Sequence, residues 1–452
     1  MNILVINGSP KGKNSVTLYT LLYLEKKHPE HNFTVLDVGA TIKALERDFT
    51  KAREALSSAD AIIFSYPVYT FIATSQLHRF IELTKESGID LSGKIATQVT
   101  TSKHFYDVTA HKYVEENCYD MGLKYIRGLS ADMDDILTEK GRTEAEKFFN
   151  FFLHSVEHGI YEITPKRVSS YSQVAPSEGK YVEGEKSDKY DVVIITDATD
   201  KESNIYKMTE KFRETLPYKS RVVNISEYPF SGGCLGCFMC AVSGKCVYKD
   251  GFDEFLRNEI QKSSAIIYAF TVSDHSMGSR FKMYDDRNFC NGHRTVTVGT
   301  PVGYLVSGAY SEESNIQMII EGRASVGQNF LAGVATDECD TDGQIKALSD
   351  NLVFALETGH TVPQTFLGIG GMKIFRDLIF GMRGMMRADH KFYKKHGQYD
   401  FPKKYSANVF KMYLVGMLLG NEKIRSKMGS KMKEGMIGPY EKMLKEAFPE
   451  KK

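Results

Sequence analysis

The feature that most constrains the fold is the stretch of residues 3–17, which reads as a strand, a small polar loop and the start of a helix. Its first four residues are apolar without alternation, which is typical of a parallel strand buried on both faces. A turn with Gly8 and Pro10 then ends the strand, and leucines at helical spacing follow Ser15. Hydroxyls and backbone N–H groups at a helix start predict an anion site, most often for phosphate; an ordinary strand-to-helix turn is the alternative.

Buried-strand patterns recur along the first third of the chain, with helical periodicity between them. They fall at residues 33–36, 61–64, 95–99 and, more weakly, 123–126. Strands that alternate with helices predict an α/β fold, a doubly wound parallel sheet with helices on both faces. Ligands bind such sheets at the carboxyl ends of the strands, where the loop after the first strand also lies.

The run Gly8-Ser9-Pro10-Lys11, followed by Ser15 and Thr17, resembles the phosphate loop of the flavodoxin-like NADPH-dependent FMN reductases. Their loop reads Gly-Ser-Pro-Arg, a short spacer and Ser-x-Thr. Lys11 keeps the charge of the usual Arg but loses its bidentate geometry. The resemblance implies a flavodoxin-like strand order 2-1-3-4-5 and bound FMN. It also implies four phosphate contacts, namely Ser9, Lys11, Ser15 and Thr17.

Two further loops resemble the flavin-ring contacts of the same family. The first reads Tyr-Pro-Val-Tyr-Thr-Phe over residues 66–71, and its aromatic faces and backbone donors suit a flat ring. The implied ring contacts are Pro67, Val68, Tyr69, Thr70 and Phe71. The second loop supplies Thr101 and Ser102 at the far edge of the ring, where the family more often has paired glycines.

The pattern begins again half-way along the chain, which indicates a duplicated domain. Ile195 aligns with Ile6 at an offset of 189 residues, and residues 265–268 align with residues 61–64 at an offset of 204. Later strands are predicted at residues 303–306 and 331–334. The second phosphate loop has become Asp-Ala-Thr-Asp over residues 197–200, and a carboxylate there repels phosphate. We expect this copy to bind FMN weakly or not at all.

Four of the seven cysteines lie within 13 residues, where the second copy carries an insertion. They are Cys234, Cys237, Cys240 and Cys246. Their spacing, Cys-x2-Cys-x2-Cys-x5-Cys, resembles that of the iron–sulfur flavoproteins of this superfamily and implies a 4Fe-4S cluster near the FMN. The residues alone leave three alternatives, an iron–sulfur cluster, tetrahedral zinc or no metal. Cys118, Cys290 and Cys339 are isolated, and we interpret them as buried small apolar residues.

The two copies divide these motifs, because the first keeps the flavin loops and the second has the cysteines. We hypothesise that the duplication packs like a homodimer within one chain. The cysteines of the second copy would then face the FMN of the first. Further assembly into a homo-oligomer is left open.

The 452 residues divide by pattern into four parts. They are a flavodoxin-like FMN-binding domain over 1–158, a linker over 159–189, a second flavodoxin-like domain with the cysteines over 190–360, and a basic Met-rich helical segment over 361–452. The last segment has 19 basic against 8 acidic residues. We expect its apolar stripes to pack on the sheet domains; contact with an anionic membrane or a partner is the alternative.

The chain shows no signal peptide and no apolar run of 18 residues, so we expect a cytoplasmic protein without a transmembrane segment. No nucleic-acid partner is expected. The leading prediction is an oxidoreductase that takes electrons from NAD(P)H through FMN to an iron–sulfur centre or an unknown small acceptor. The alternatives are a non-enzymatic flavin and iron–sulfur electron carrier, and a thiol or metal redox sensor. No catalytic acid or base stands out.

Overall fold

The computed structural model describes residues 1–165, 169–401, 406–419, 422–423, 442–443, 446 and 448. The chain divides into two units, Met1–Phe392 and Tyr393–Lys452. Both predicted sheets lie in the first unit. In these described ranges, no helix has the length and apolar character needed to cross a membrane.

The first sheet has the strand order β2-β1-β3-β4-β5, which is the predicted flavodoxin-like order. Its strands are β1 (Asn2–Asn7), β2 (Asn32–Leu36), β3 (Ala61–Pro67), β4 (Ile95–Ser102), β5 (Lys124–Tyr125) and β6 (Leu129–Asp132). β6 also pairs with β4. The strands run parallel, and the central β1 and β3 are buried on both faces. This burial explains their unbroken apolar runs.

Helices cover both faces of this sheet. They are α1 (Val16–Lys27), α2 (Val38–Leu45), α3 (Thr50–Ser58), α4 (Ser75–Glu86), α5 (Asp107–Asp120) and α6 (Glu139–His158). Leu21 of α1 and Phe149 of α6 belong to the core on one face. Leu77 and Phe80 of α4 belong to the core on the other face. The doubly wound architecture is as predicted.

The second sheet repeats the first, with the order β11-β10-β9-β7-β8. Its strands are β7 (Ser187–Thr196), β8 (Tyr218–Asn224), β9 (Ala265–Thr271), β10 (Val302–Ser307) and β11 (Leu331–Thr336). Ile3 pairs with Ala61 in the first sheet, and Val192 pairs with Ala265 in the second. These equivalent pairs agree with the sequence offsets. The pattern analysis missed β8 because this edge strand carries Lys, Ser and Arg in its first half.

The helices of the second copy are α7 (Asn204–Thr215), α8 (Met239–Ser243), α9 (Phe252–Phe255), α10 (Gly278–Arg287), α11 (Ser314–Gly327) and α12 (Thr341–Thr358). Equivalent helices of the two copies meet, since α4 packs against α10 and α5 against α11. Two halves of a homodimer would meet in the same way. The contact brings the second copy close to the loops at the carboxyl edge of the first sheet.

Three helices follow, α13 (Phe366–Gly381), α14 (Arg387–Lys395) and α15 (Ser406–Leu419). α13 packs on α11, where a Cβ on Gly368 would lie 2.5 Å from the carbonyl oxygen of Ser325. The expected packing of apolar stripes is therefore correct for α13. In the second unit, the described side chains of α15 are exposed, with Val409 at 50% and Leu418 at 56%. Most residues after 419 lie outside the described ranges.

Candidate functional site

The amino-terminal loop joins β1 to α1 at the carboxyl edge of the first sheet. The Asn7 side chain fixes its shape by donating to the carbonyl of Gly12 at 2.9 Å and to Asp37 Oδ1 at 2.7 Å. Gly12 has a φ of +53°, in the left-handed region that favours glycine. Three of the predicted phosphate contacts are buried in this loop and in the first turn of α1, namely Ser9, Ser15 and Thr17.

The start of α1 can bind an anion. Ser15 occupies its N-cap position, yet among the described residues its side chain makes no capping hydrogen bond. Thr74, at the same position of α4, does cap its helix. The first N–H groups of α1 therefore remain available to a ligand, and the positive end of the helix dipole favours phosphate. Burial lowers the pKa of Lys11, while the thiols of Cys234 and Cys237 oppose that shift.

The second predicted loop turns back directly after β3. The backbone N–H of Tyr69 donates to the Ile72 carbonyl at 2.8 Å, and that of Ile72 donates back at 3.1 Å. Between them, Thr70 and Phe71 have φ angles of 47° and 74°. Such angles cost about 1–3 kcal/mol for residues with a side chain and occur often at ligand sites. We refer to residues 67–71 as the ring loop.

Side chains of the second copy hold the ring loop in this conformation. Lys282 Nζ donates to the Tyr69 carbonyl at 3.1 Å and to Thr70 Oγ1 at 2.5 Å. Arg323 donates to the Thr70 carbonyl at 2.9 Å. Lys282 is fully buried and forms an ion pair with Asp286, which is also fully buried. The first copy thus depends on the second for the shape of its ring loop, which the sequence analysis did not predict.

The third predicted loop follows β4 and lies beside the first two. Val68 donates its backbone N–H to the Thr101 carbonyl at 3.1 Å. The hydroxyls of Thr17 and Thr101 are 2.6 Å apart and buried. Ser102 Oγ accepts from the backbone N–H of His104 at 2.8 Å. The three loops therefore meet through residues that were predicted to contact one ligand.

Residues 226–250, which follow β8 and carry the four clustered cysteines, are called the cysteine segment. This segment reaches the loops of the first copy. Gly236 has a φ of +60°, and a Cβ on it would lie 1.7 Å from Tyr69 Oη, so only glycine fits. Lys11 Nζ lies 5.5 Å from the ring centre of Phe238. Gln76 Nε2 donates to the carbonyl of Cys234 at 3.4 Å. The cysteine segment of the second copy thus adjoins the phosphate loop and the ring loop of the first.

The donor set around the sulfur atoms fits a thiolate-held metal centre. The N–H of Gly236 donates to Cys234 Sγ at 3.4 Å, and Arg287 Nη2 lies 4.0 Å from Cys246 Sγ. Such donors stabilise negative charge on sulfur. In the described part of the chain, no three cysteine sulfurs lie within 4.8 Å of one another. Tetrahedral zinc would bring its sulfur ligands to about 3.8 Å of one another, which is closer than any three of these described sulfurs lie.

Arg287 fixes the start of the cysteine segment, and sequence analysis gave no sign of this role. It is 1% exposed, donates to the Gly232 carbonyl at 2.9 Å and pairs with Asp250 at 2.8 Å. Burial alone would raise the pKa of Asp250, but the Arg287 guanidinium outweighs it and lowers the pKa to about 2. The pair therefore stays charged inside the protein.

The strand ends of the second sheet are covered by the chain itself. Asp337, buried directly after β11, accepts from Ser307 Oγ at 2.6 Å, Asn204 Nδ2 at 3.0 Å and the Tyr171 hydroxyl at 3.1 Å. Tyr171 belongs to the predicted linker. In the degraded phosphate loop, burial raises the pKa of Asp197 to about 6. These contacts fill the strand ends of the second copy, and its weak or absent FMN binding stays a prediction.

The three isolated cysteines do not share one environment. Cys118 and Cys290 are buried, as expected, but Cys339 is exposed. The interpretation of Cys339 as a buried apolar residue is therefore wrong. It lies after β11, where the chain leaves the sheet and solvent reaches the thiol.

A cavity of about 490 Å³ lies between the three loops and the cysteine segment. All the predicted flavin contacts of the first copy line it, together with Cys234, Cys237, Cys240 and Cys246. Its volume is that of a small-molecule site. It combines apolar rings with a few polar groups at the phosphate end, as nucleotide cofactors require.

The fold is flavodoxin-like, and the candidate site is the cavity at the carboxyl edge of its first sheet. Residues 1–124 match the NADPH-dependent FMN reductase family. The match falls on the amino-terminal half of the duplication and stops before the second copy.

Known proteins resemble parts of the chain. An iron–sulfur flavoprotein of Archaeoglobus fulgidus is 28% identical over 173 residues, which cover 36% of this chain and 78% of that protein. A crystal structure of an NADH:FMN oxidoreductase in apo form has 22% identity and a TM-score of 0.31, covering 37% of this chain and 96% of its own. A crystal structure of an FMN-dependent NADH-azoreductase from Bacillus anthracis in complex with FMN has 15% identity and a TM-score of 0.27. The alignment covers 33% of this chain and 98% of that chain.

Proposed function

We propose that this protein oxidises NAD(P)H through FMN and passes the electrons to a 4Fe-4S cluster on its four clustered cysteines or to a small acceptor. The single observation that carries the proposal is the contact between Tyr69 and Gly236. It joins the ring loop and the cysteine segment in one cavity. Electrons can then move between two cofactors without a partner chain.

FMN would lie with its phosphate at the start of α1, held by Ser9, Lys11, Ser15 and Thr17. The uncapped first turn of α1 supports this assignment. The ring loop, with Thr101 and Ser102, would hold the flavin ring. When bound, FMN supplies a centre that accepts hydride from a reduced nicotinamide and releases electrons singly or in pairs.

The chain itself contributes binding, orientation and electrostatics. Lys282 and Arg323 hold the ring loop through the backbone oxygens of Tyr69 and Thr70. Lys11 lies between the phosphate loop and the cysteine segment, so its charge stabilises an anion on either side. The buried surroundings of the loops exclude water and strengthen these interactions.

The assignment of an iron–sulfur cluster rests on different residues from the assignment of FMN. Four thiolates with N–H and guanidinium donors at sulfur suit an iron–sulfur centre. The similar Archaeoglobus fulgidus protein is an iron–sulfur flavoprotein, which also supports such a centre. We assign Cys234, Cys237, Cys240 and Cys246 as its ligands.

Purification without oxygen, followed by an absorption spectrum with iron and flavin analysis, tests both assignments. We expect bound FMN and about four iron atoms per chain. Cys237→Ser should lose the iron and keep the flavin, whereas Cys339→Ser, outside the motif, should keep both. Colourless protein that does not take up added FMN contradicts the proposal. Unchanged iron in Cys237→Ser contradicts the cluster.

Steady-state oxidation of NADH and NADPH by the same preparation tests the enzyme activity. We expect turnover with at least one nicotinamide when ferricyanide accepts the electrons. Bound flavin and iron without nicotinamide oxidation would instead favour an electron carrier reduced by another protein.

A further inference from the structure

Helix α15 presents a continuous run of apolar side chains to solvent. The structure describes the side chains of residues 409–418, and all ten residues are exposed. Eight of the ten are large and apolar, with exposed fractions of 39–71%. They are Val409, Phe410, Met412, Tyr413, Leu414, Val415, Met417 and Leu418. Contiguous apolar patches of this kind mark contact sites, so this stretch of α15 requires an apolar partner.

The most exposed of these side chains share one face of α15. Phe410, Tyr413 and Met417 are 66%, 71% and 68% exposed. Their spacing of i, i+3 and i+7 places them above one another along the helix. Lys411 follows Phe410 by one residue and so points about 100° away from it. A helix lying flat on a bilayer can therefore bury the three large side chains and keep the Lys411 ammonium among the headgroups.

The length of α15 fits contact with one surface of a bilayer. The helix has 14 residues, which extend about 21 Å along its axis. The hydrocarbon core of a bilayer is about 30 Å thick, so a helix of this length is too short to cross it. An orientation in the plane of the interface exposes the helix to both headgroups and acyl chains.

The sequence around α15 is strongly basic. Residues 403–433 contain eight Lys or Arg residues and one acidic residue, Glu422. The segment 361–452 has a net charge of +11 in a chain whose total is +1, so residues 1–360 have a net charge of −10. An anionic surface therefore attracts the last segment and repels the two sheet domains.

These charges decide what covers α15. A bilayer with anionic headgroups offers acyl chains to the apolar side chains and negative charge to the basic residues before and after them. A second copy of this chain would also cover the apolar side chains, but it would bring the same positive charges into the contact, where they repel. The bilayer is the occupant that satisfies both features.

We propose that α15, with the basic residues beside it in sequence, docks on membranes that contain anionic phospholipids. Phe410, Tyr413 and Met417 insert among the lipids, and the lysines and arginines contact the headgroups. This interaction surface is independent of the cofactors proposed above. It would hold the flavodoxin-like domains at a membrane surface.

Insertion is tested by fluorescence, because the chain contains no tryptophan and a single introduced indole reports on one position. Tyr413→Trp is mixed with vesicles of phosphatidylcholine and phosphatidylglycerol in a ratio of about 7:3, with and without brominated acyl chains. Bromine should quench its fluorescence at least twofold. Phe366→Trp, at an 86% exposed position of α13, is the matched control and should not be quenched. Equal fluorescence of Tyr413→Trp with both kinds of vesicle overturns the proposal.

Vesicle sedimentation of the full chain tests the two contributions separately. The double variant Phe410→Ser, Met417→Ser should bind more than tenfold more weakly, while Phe366→Ser binds as the unchanged protein does. The triple variant Lys427→Gln, Lys431→Gln, Lys433→Gln should also lose more than tenfold, as should the unchanged protein on phosphatidylcholine alone. Unchanged binding in the Phe410 and Met417 double variant overturns the proposal, as does equal binding to both lipid compositions.

Two further results would separate this inference from its alternatives. A dimer in analytical ultracentrifugation that the Phe410 and Met417 double variant abolishes, without vesicle binding by the unchanged protein, would assign α15 to a second copy and overturn the membrane proposal. Protein that binds anionic vesicles but takes up no FMN would overturn the proposed function and support this inference.

Discussion

Ser75 and Asp286 join equivalent helices of the two copies, since the backbone N–H of Ser75 at the start of α4 donates to Asp286 Oδ2 at 2.8 Å. The reverse contact exists at an offset of 204 residues in both partners. There the N–H of Ser279 in α10 donates to Glu82 Oε1 at 2.6 Å. Each copy thus supplies a carboxylate to the helix start of the other, where a negative charge is favourable. This reciprocal pair of contacts aligns α10 with the ring loop.

Glu82→Gln should lower the free energy of unfolding by about 1–2 kcal/mol, because the start of α10 loses a charged acceptor. Glu82 also pairs with Arg79, so the control must remove an Arg79 partner without touching Ser279. Glu86→Gln does so at a 58% exposed position and should cost about 0–1 kcal/mol. Urea denaturation measures both. Equal losses would mean that the contact with Ser279 contributes nothing.

Lys282→Met should destabilise the protein by about 3–5 kcal/mol, because the buried charge of Asp286 is left uncompensated. It should also weaken FMN binding more than tenfold, since the ring loop loses its donors at Tyr69 and Thr70. The double variant Lys282→Met, Asp286→Leu separates the two effects. It should regain most of the lost stability in urea denaturation, apart from about 1–2 kcal/mol for the acceptor that Ser75 loses, but should not regain FMN affinity in equilibrium dialysis. Recovery of both would show that Lys282 acts on the flavin site only through folding.

Contiguous patterns predicted most of the fold and the three loops that meet at the candidate site. Short apolar runs marked the central strands because strands buried on both faces contain little else. The cavity-lining residues of the first copy were predictable because each of its three loops carries them within a few neighbouring positions. Lys282 was missed because its partner Tyr69 is 213 residues away in sequence. The repeat offset of 204 aligns Lys282 with His78 of α4 and could have placed it at the contact between copies.

Two other cavity-lining residues were missed for a related reason. Phe289 and Phe375 stand in segments without a recognisable motif, and single aromatic residues are more often core than ligand contacts. Their position at the cavity depends on two packing contacts, of α10 on α4 and of α13 on α11. Neither can be read from local periodicity.

Gly236→Ala should disrupt the contact between the cysteine segment and the ring loop. The new methyl group would meet Tyr69 Oη at 1.7 Å, and the φ of +60° disfavours any side chain. We expect lower iron content and at least tenfold weaker FMN binding. Gly384→Ala is the control, because nothing lies within 4 Å of its Cβ position. An unchanged iron and flavin content in Gly236→Ala would contradict the close contact between the cysteine segment and Tyr69.

Asp197 should make stability depend on pH between about 4 and 6. Burial raises its pKa in the folded protein to about 6, above the usual value near 3.8, while Arg280 partly opposes the shift. The folded state therefore binds the proton more tightly than the unfolded state, so stability falls as the pH rises through this window.

The substitution Asp197→Asn removes the ionisation. Since the side chain is only half-buried, we expect the variant to be more stable than the unchanged protein by about 1–2 kcal/mol at pH 8, with little difference at pH 4. Urea denaturation across this range measures the effect, and Asp200→Asn, at the exposed carboxylate of the same loop, should leave the profile unchanged. A constant difference between Asp197→Asn and the unchanged protein at all pH values would show that Asp197 is not the titrating group.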